Sequence, residues 1–323
     1  MLTIIIKCKL ILFLITTNEE LTMEKNKTSK AMAAAFLANV IFGFSFIFSK
    51  MGLSAATPSI LLAYRFVTAL LVMTVLILTK TVKFDIKGKN IMPLLLIGLF
   101  QPVIYFICES YGLMYTTATF SAVMIALVPI ASLLFGSVFL REIPSVMQVI
   151  FSLISISGVV LMALQESSEG SVKLIGIFLL IGAIASAVGF NVTSRKYSSQ
   201  FSAFERTYFM FLIGGIFFSI MAVAENFGHF ERFTAPLSSP MFIISVFYLS
   251  ILSSIAAFLM MNYSTTYLSV ARTTSFSNII TVVSVFAGIV FLHEGADIVS
   301  IISSIMIIVG VWGVQKMGLK NEK

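Results

Sequence analysis

The stretch Tyr111–Glu142, YGLMYTTATFSAVMIALVPIASLLFGSVFLRE, occurs a second time at Tyr263–Glu294 as YSTTYLSVARTTSFSNIITVVSVFAGIVFLHE. When Tyr111 is aligned with Tyr263, both copies end in Phe-Leu-x-Glu, and Gly158 further along falls on Gly310. Chance similarity between apolar segments would scatter Leu and Ile matches without aligning glycines and a charged end. The sequence is therefore an internal duplication, and duplicated apolar chains recur among transporters.

The composition places the chain in a membrane. Of its 323 residues, 59% are hydrophobic and 11% are charged, whereas a soluble domain is usually about 25% charged. The net charge of +7 does not indicate a nucleic-acid partner, because the basic residues occupy short loops and the C-terminus. Cys8 and Cys108 lie far apart and predict neither a disulfide framework nor a metal site.

The apolar runs predict an all-α integral membrane protein with ten transmembrane helices. Each run is about 20 residues long, which crosses about 30 Å of hydrocarbon as a helix. Pro102 and Pro129 fall inside the third and fourth runs and predict kinks there. The predicted spans are 31–52, 58–79, 91–112, 116–140, 145–164, 172–194, 202–223, 240–262, 270–292 and 298–315.

The duplication divides the chain into a first five-helix repeat at 31–165 and a second at 170–316. A leader at 1–30 precedes them, and a basic cytoplasmic tail at 317–323 follows. Residues 1–15 are apolar, but they are too short to span a membrane and lack a signal-peptidase site. We expect translation to start at Met23; a disordered or interfacial leader is the alternative.

The basic residues also predict the orientation of the chain. With the N-terminus inside, the outer loops receive only Lys50, Lys173 and Arg232, and the remaining loop cations fall on the cytoplasmic side. Both termini are then cytoplasmic. Because each repeat has an odd number of helices, the second repeat is inverted relative to the first. Inverted repeats place a pseudo-twofold axis in the membrane plane and a binding cavity near the midplane.

Two ionisable side chains inside predicted spans are the first candidates for a functional site. Charges within a membrane are costly, and they commonly mark substrate or proton pathways. Arg65 and Glu109 both fall in the outer half of the membrane, so they are expected to meet or to line one cavity. Arg65 is a candidate to hold a substrate anion and Glu109 to take up a proton. A structural pair at the outer interface is the alternative, and Arg272 is interpreted as an interfacial cation.

Amide and aromatic side chains inside the spans are further candidates for substrate binding. Buried amides more often hydrogen-bond a neighbouring helix, so that interpretation stays open for each of them. Tyr105 is a candidate for lining a pocket, together with Tyr64 and Tyr111, although tyrosines near helix ends also form interface belts. The candidate amides are Asn39, Gln101, Asn191, Asn262 and Asn278.

Motifs of enzymes are missing from the sequence. It contains no HExxH, no phosphate-binding G-x-x-x-x-G-K-[ST] loop and no glycine-flanked serine of the hydrolase type. His293-Glu294 lacks the second histidine of a zinc pair. The sequence therefore predicts no enzyme and no metal site, and ATP-driven transport would need another chain.

Short motifs in both halves carry a family resemblance. They are Phe42-Gly43 through Lys50, Pro58 with Arg65, the Phe-Leu-x-Glu ends at Glu142 and Glu294, and the glycines at Gly158 and Gly310. Over residues 31–316 the chain resembles the drug/metabolite transporter superfamily, specifically its EamA-type carriers with two five-helix repeats. One departure concerns Val188-Gly189-Phe190, which replaces the Phe42-Gly43-Phe44 pattern of the first helix. It leaves open whether the second half contributes an aromatic wall.

The resemblance implies ten helices, cytoplasmic termini, no organic cofactor and a central cavity lined by both repeats. It implies export, or less often uptake, of small metabolites such as amino acids. We therefore expect a secondary transporter of the cell membrane that works by alternating access, with a small-molecule substrate, the lipid bilayer and protons as its partners. Efflux of aromatic or cationic toxic compounds is one alternative, and a non-transporting membrane scaffold or receptor is another.

Overall fold

The computed structural model describes residues 24–131, 135, 145–168, 172–268, 273, 275–292 and 298–321. These residues are overwhelmingly helical and contain no β-strand. The main helices are α1 (Glu24–Leu53), α2 (Pro58–Leu78), α3 (Met92–Met114), α4 (Ala118–Ile125), α5 (Val146–Ser168), α6 (Leu174–Lys196), α7 (Ala203–Glu225), α8 (Pro240–Tyr267), α9 (Asn278–Leu292) and α10 (Ile298–Asn321).

The prediction of an all-α membrane protein is confirmed. Within the described ranges, seven helices are long and apolar enough to cross a membrane: α1, α2, α3, α5, α6, α7 and α8. The remaining predicted spans contain shorter apolar helices at 118–131, 279–288 and 301–314. Parts of the duplicated stretch, including Glu142 and Glu294, lie outside the described residues, as do Arg272 and the chain before Glu24.

Several helix ends differ from the prediction, including the first and the last of the described chain. α1 begins at Glu24 instead of residue 31, and α10 runs to Asn321 instead of ending at 315. Both extensions are rich in Lys and Glu or Asn. Lysine and glutamate are good helix formers even where no apolar face is buried, so the helices continue beyond the apolar runs that predicted them.

Helix α3 is broken at Gln101, as the proline at position 102 predicts. Gln101 has φ −142° and ψ 114°, which is extended backbone, inside a π-helical segment at Leu99–Ile104. A residue before proline is pushed away from helical backbone by the proline ring. α4 ends at Ile125, and a turn at residues 126–127 lies just before Val128-Pro129.

A second π-helical segment, Tyr248–Ala257, interrupts α8. It covers the positions equivalent to Leu99–Ile104 in the register that aligns Tyr111 with Tyr263. This segment contains no proline, so the sequence holds no local signal for it. Irregular backbone at membrane depth is tolerated only inside the protein or beside a cavity, and both segments meet that condition.

Helices of the first half pack on helices of the second half in a reciprocal pattern. α2 lies along α7, and α5 lies along α10. α1 packs on α8 and α9, whereas its counterpart α6 packs on α3 and α4. Each half therefore completes its helix packing with the equivalent partners from the other half.

Equivalent glycines from the two repeats bring α5 and α10 together. A Cβ added to Gly310 would lie 2.6 Å from the carbonyl oxygen of Phe151 and 2.6 Å from the Cβ of Ser155. A Cβ added to Gly158 would lie 2.8 Å from the carbonyl oxygen of Ser303. The small side chains therefore allow the two backbones to approach closely, as expected for helix packing in membranes.

Cations occupy equivalent sites at the C-terminal ends of α3 and α8. Lys50 Nζ donates to the carbonyl of Leu113 at 2.9 Å. Arg195 Nη1 donates to the carbonyls of Thr265 and Thr266 at 2.9 and 2.7 Å, and Thr265 is the repeat equivalent of Leu113. The last carbonyls of a helix lack intrahelical partners and carry partial negative charge, so each cation stabilises the end that it contacts.

A second arginine, Arg206 on α7, strengthens the end of α8. Its side chain is 0% exposed. Nη1 donates to the carbonyl and hydroxyl of Ser194 at 2.9 and 2.6 Å, and Nη2 donates to the carbonyl of Asn262 and the hydroxyl of Thr266 at 2.7 and 2.6 Å. Sequence reasoning missed this residue, because a cation in the first turns of a helix is usually interfacial.

The close contact at Gly310 predicts a stability difference between two glycine substitutions. Gly310→Ala is expected to destabilise the protein by about 1–3 kcal/mol, because backbone atoms of α5 cannot move away from the new methyl group. Gly215→Ala is the control, since its Cβ would be 3.3 Å from the flexible end of Leu70. Thermal unfolding in detergent measures both. Equal melting temperatures for the two variants would contradict the packing described for α5 and α10.

The Arg206 cluster predicts a large loss of stability when its cation is removed. Arg206→Met leaves the buried carbonyls and hydroxyls of two helices, α6 and α8, without their donor, at an expected cost of about 2–5 kcal/mol. Lys196→Met removes an exposed cation near the end of α6 and is expected to change the melting temperature little. A small effect of Arg206→Met in the same unfolding assay would show that the cluster does not hold the α8 end.

Candidate functional site

A cavity lies at the centre of the helical bundle, bordered by α1, α2, α3, α6 and α8 and by residues of the fourth and ninth predicted spans. Its volume is about 80 Å³, which is room for roughly six water molecules. Both π-helical segments reach it. Its polar lining consists of Asn39, Ser45, Arg65, Gln101, Tyr105, Glu109, Asn191, Ser253, Thr273 and Ser277.

The cavity brings together most of the residues that the sequence singled out as candidates. They come from helices far apart in the sequence, including α6 of the second half. The predicted site residues that border the cavity are Arg65, Glu109, Tyr105, Gln101, Asn39 and Asn191.

Arg65 is held in place by hydroxyls of α8 and by an aromatic ring of α3. Nε donates to Ser254 Oγ at 2.9 Å, and Nη2 donates to Ser253 Oγ at 3.0 Å. The guanidinium carbon lies 4.3 Å from the ring centroid of Phe106, within cation–π distance. Nη1 has no hydrogen-bond partner among the described residues and remains available to a group in the cavity.

Glu109 supplies the second charge of the cavity. It is 3% exposed, and its Oε2 accepts a hydrogen bond from Ser110 Oγ at 3.1 Å. Within the described part of the chain, Arg65 and Glu109 form no ion pair at 4.0 Å or less. Both side chains are buried. The cavity therefore presents a guanidinium and a carboxyl group that form no direct ion pair with each other.

The two halves share an aromatic wall. Phe258 on α8 makes edge contacts with Phe42 at 5.2 Å and with Phe106 and Phe190 at 6.2 Å between ring centroids. All four rings border the cavity. The second half thus contributes Phe190 and Phe258, which answers the question raised by Val188 in place of an aromatic residue.

The polar groups of the cavity differ in how far the protein already satisfies them. Asn39 Nδ2 donates to the carbonyl of Ala35 in its own helix at 2.7 Å. Gln101, Tyr105 and Asn191 make no side-chain hydrogen bond with the residues that the structure describes, although each is at least 92% buried. These three groups are therefore free to bind a polar solute.

One predicted amide, Asn262, is not among the cavity-lining residues that the structure describes. Asn262 Nδ2 donates to Thr207 Oγ1 at 2.9 Å, and its Oδ1 accepts from Ser194 Oγ at 2.8 Å. Its hydrogen-bonding groups are committed to the cluster around Arg206. Asn278 begins α9, and its side chain lies outside the described part of the structure.

The two other tyrosines considered as pocket residues bond elsewhere. Tyr64 Oη donates to the carbonyl of Phe233 at 2.8 Å, in the connection between α7 and α8. Tyr111 Oη donates to Glu225 Oε1 at 2.7 Å. Both hydroxyls tie helix ends to the second half of the chain.

The serines that position Arg65 were missed by sequence reasoning. Serine is common in membrane helices, and Ser253-Ser254 has no motif around it. The duplication does contain a signal for Ser253, because this serine occupies the position equivalent to Gln101, which was already a candidate for substrate binding. Among the described residues, no group of three or more His, Cys, Asp or Glu side chains is placed to hold a metal ion.

Comparison with known proteins identifies relatives along nearly the whole chain. The sequence profile of the EamA-like transporter family matches residues 29–164 and again residues 174–315. The uncharacterized transporter YcxC of Bacillus subtilis (strain 168) is 30% identical over 294 residues, covering 90% of this chain and 94% of that protein. An uncharacterized transporter of Archaeoglobus fulgidus is 27% identical over 290 residues, covering 88% and 96% of the two chains.

A solved crystal structure has the same fold. It superposes with a TM-score of 0.64 at 16% identity and covers 91% of this chain and 99% of its own. Two profile matches in tandem span most of the sequence, and the relatives are named as transporters. The chain belongs to the EamA-like transporter family.

Proposed function

We propose that this membrane protein is a secondary transporter that exports small zwitterionic metabolites, such as amino acids, across the cell membrane by alternating access. The observation that carries this proposal is the position of Arg65 and Glu109 on one buried cavity without a direct ion pair. A solute with a carboxylate and an ammonium group supplies the missing partner for each. No enzymatic step is involved.

The free hydrogen-bonding groups define how such a solute would bind. Arg65 Nη1 is available for a carboxylate, and charge-assisted hydrogen bonds of this kind are short and strong. Glu109 faces the same cavity and is available for an ammonium group or a proton. Gln101 and Asn191 lie on the same lining and add amide donors and acceptors. The phenylalanine wall excludes water and strengthens these charged contacts.

The size of the cavity favours a small solute over a large toxic compound. A volume of about 80 Å³ suits a ligand of a few non-hydrogen atoms in this conformation. The aromatic wall is the one feature that supports the alternative, efflux of aromatic compounds. A cationic compound would meet the buried positive charge of Arg65. A scaffold or receptor without transport has no need for either buried charge.

The reciprocal packing of the two halves supports alternating access. We propose ten membrane crossings, arranged as inverted repeats at 31–165 and 170–316, with both termini in the cytoplasm. The exchange of partners between α1 and α6, and the α2–α7 and α5–α10 pairs, are what a pseudo-twofold axis in the membrane plane would produce. Rocking of one half on the other would then open the cavity to each side in turn.

Replacing the guanidinium of Arg65 by an ammonium group is expected to reduce export strongly. Cells that express the protein should accumulate one or more amino acids in the medium, as measured by untargeted mass spectrometry. Arg65→Lys should reduce this accumulation at least about tenfold, because a lysine ammonium cannot contact two serines and a carboxylate at once. Arg232→Ala, which removes an arginine of the α7–α8 connection, should export normally. Undiminished export by Arg65→Lys would remove Arg65 from substrate binding.

Glu109 is expected to link transport to pH. If the carboxylate takes up a proton during each cycle, Glu109→Gln fixes the neutral form, and the pH dependence of export should disappear. The measurement is the initial rate of export at a series of external pH values, with wild type beside the variant. A pH profile that Glu109→Gln leaves unchanged would show that another group carries the coupling or that transport is not proton-driven.

A further inference from the structure

A row of unsatisfied hydroxyls leaves the central cavity along one face of α9. Ser277 borders the cavity, and Thr281 and Ser284 follow at helical spacing on the same side. Their side chains are 7%, 0% and 0% exposed, respectively. None of the three hydroxyl oxygens has a hydrogen-bond partner among the described residues. With about 1.5 Å of rise per residue, the row extends roughly 10 Å from the cavity.

These hydroxyls are not explained by helix packing alone. Buried hydroxyls in membrane helices normally bond a neighbouring helix or a carbonyl one turn earlier, and unbonded ones are costly. In the repeat register, Ser277 and Thr281 correspond to Ile125 and Pro129 of the first half. Ser284 corresponds to Ser132, so the two repeats share this hydroxyl, and only the first two positions of the row are specific to the second half.

α1 packs on α9 beside this row in the present structure. A Cβ added to Gly43 would lie 2.7 Å from the Cβ of Val283 and 3.1 Å from the carbonyl oxygen of Ile280. The opposite face of α9 carries exposed Val282 and Phe286. α9 thus has an apolar face directed outward from the bundle, a buried row of hydroxyls on the opposite side and its contact with α1 between the two.

We propose that Ser277, Thr281 and Ser284 form one wall of the path by which a polar substrate leaves the cavity toward the extracellular side. The direction rests on the proposed function and topology, in which α9 runs from the cytoplasmic to the outer side. When the helices that pack on α9 move apart, the hydroxyls meet water and substrate in place of their missing partners. Successive hydroxyls then replace part of the hydration that a zwitterion loses on its way out.

Cysteine accessibility tests this path. Thr281→Cys and Ser284→Cys are made singly in a protein in which Cys8 and Cys108 are serine, and a charged, membrane-impermeant methanethiosulfonate is applied outside intact cells. Val282→Cys and Phe286→Cys are matched controls on the apolar face. We expect Thr281→Cys and Ser284→Cys to react at least about tenfold faster than the controls, because only a water-exposed thiol ionises and meets the reagent.

Reaction at rates no faster than the controls would overturn the proposal, and so would reaction only from the cytoplasmic side in inside-out vesicles. Thr281→Val gives a second readout, because it removes the hydroxyl at nearly constant volume. A path wall predicts reduced export with unchanged or increased melting temperature; unchanged export would contradict it. Export by the parent protein is measured separately, so a transporter whose α9 cysteines stay unreactive refutes this path without refuting the proposed function.

Discussion

The burial of a guanidinium near the centre of a membrane bundle is the constraint on which the rest of the site depends. Arg65 is 2% exposed and forms no ion pair with a carboxylate of the described residues. Such a charge is tolerated only if other groups replace its hydration. Here two serine hydroxyls and the face of Phe106 do so, and one nitrogen is left for the cavity. The burial of Arg65 therefore depends on the π-helical segment of α8, which carries both serines, and on the polar cavity next to it.

The π-helical segments connect this requirement to the duplication. In α8 the segment contains Ser253 and Ser254, which hold Arg65; in α3 the equivalent segment contains Gln101, which borders the same cavity. Cations at equivalent sites bind the C-terminal carbonyls of α3 and α8. The repeats thus supply the same framework twice, whereas individual side chains differ. Only the first half contributes the two charges, and the hydroxyl row lies on α9 of the second half.

Much of the helical fold and of the cavity lining could be predicted from the sequence, for physical reasons. The apolar runs predicted the helices, because the length and composition of a membrane-spanning helix are local properties of the sequence. Arg65 and Glu109 were found because charge inside a membrane is rare. Arg206 and Ser253 were missed for the opposite reason: an arginine near a helix start and a serine in a membrane helix are ordinary, and only the tertiary structure shows what they bond. Asn262 was selected as a buried amide, yet composition cannot tell a cavity from a structural cluster.

The central claim is that Arg65 holds the carboxylate of a small zwitterion, and the most direct test is ligand-dependent thermal stabilisation of the purified protein. Each amino acid is compared with its methyl ester and with the amine that lacks the carboxylate, for wild type and Arg65→Lys. The account predicts that at least one amino acid raises the melting temperature of wild type, since a ligand that binds the folded state stabilises it. It also predicts that the ester, the amine and the variant show no such shift. Equal stabilisation by the amino acid and its amine, or by wild type and Arg65→Lys, would contradict it.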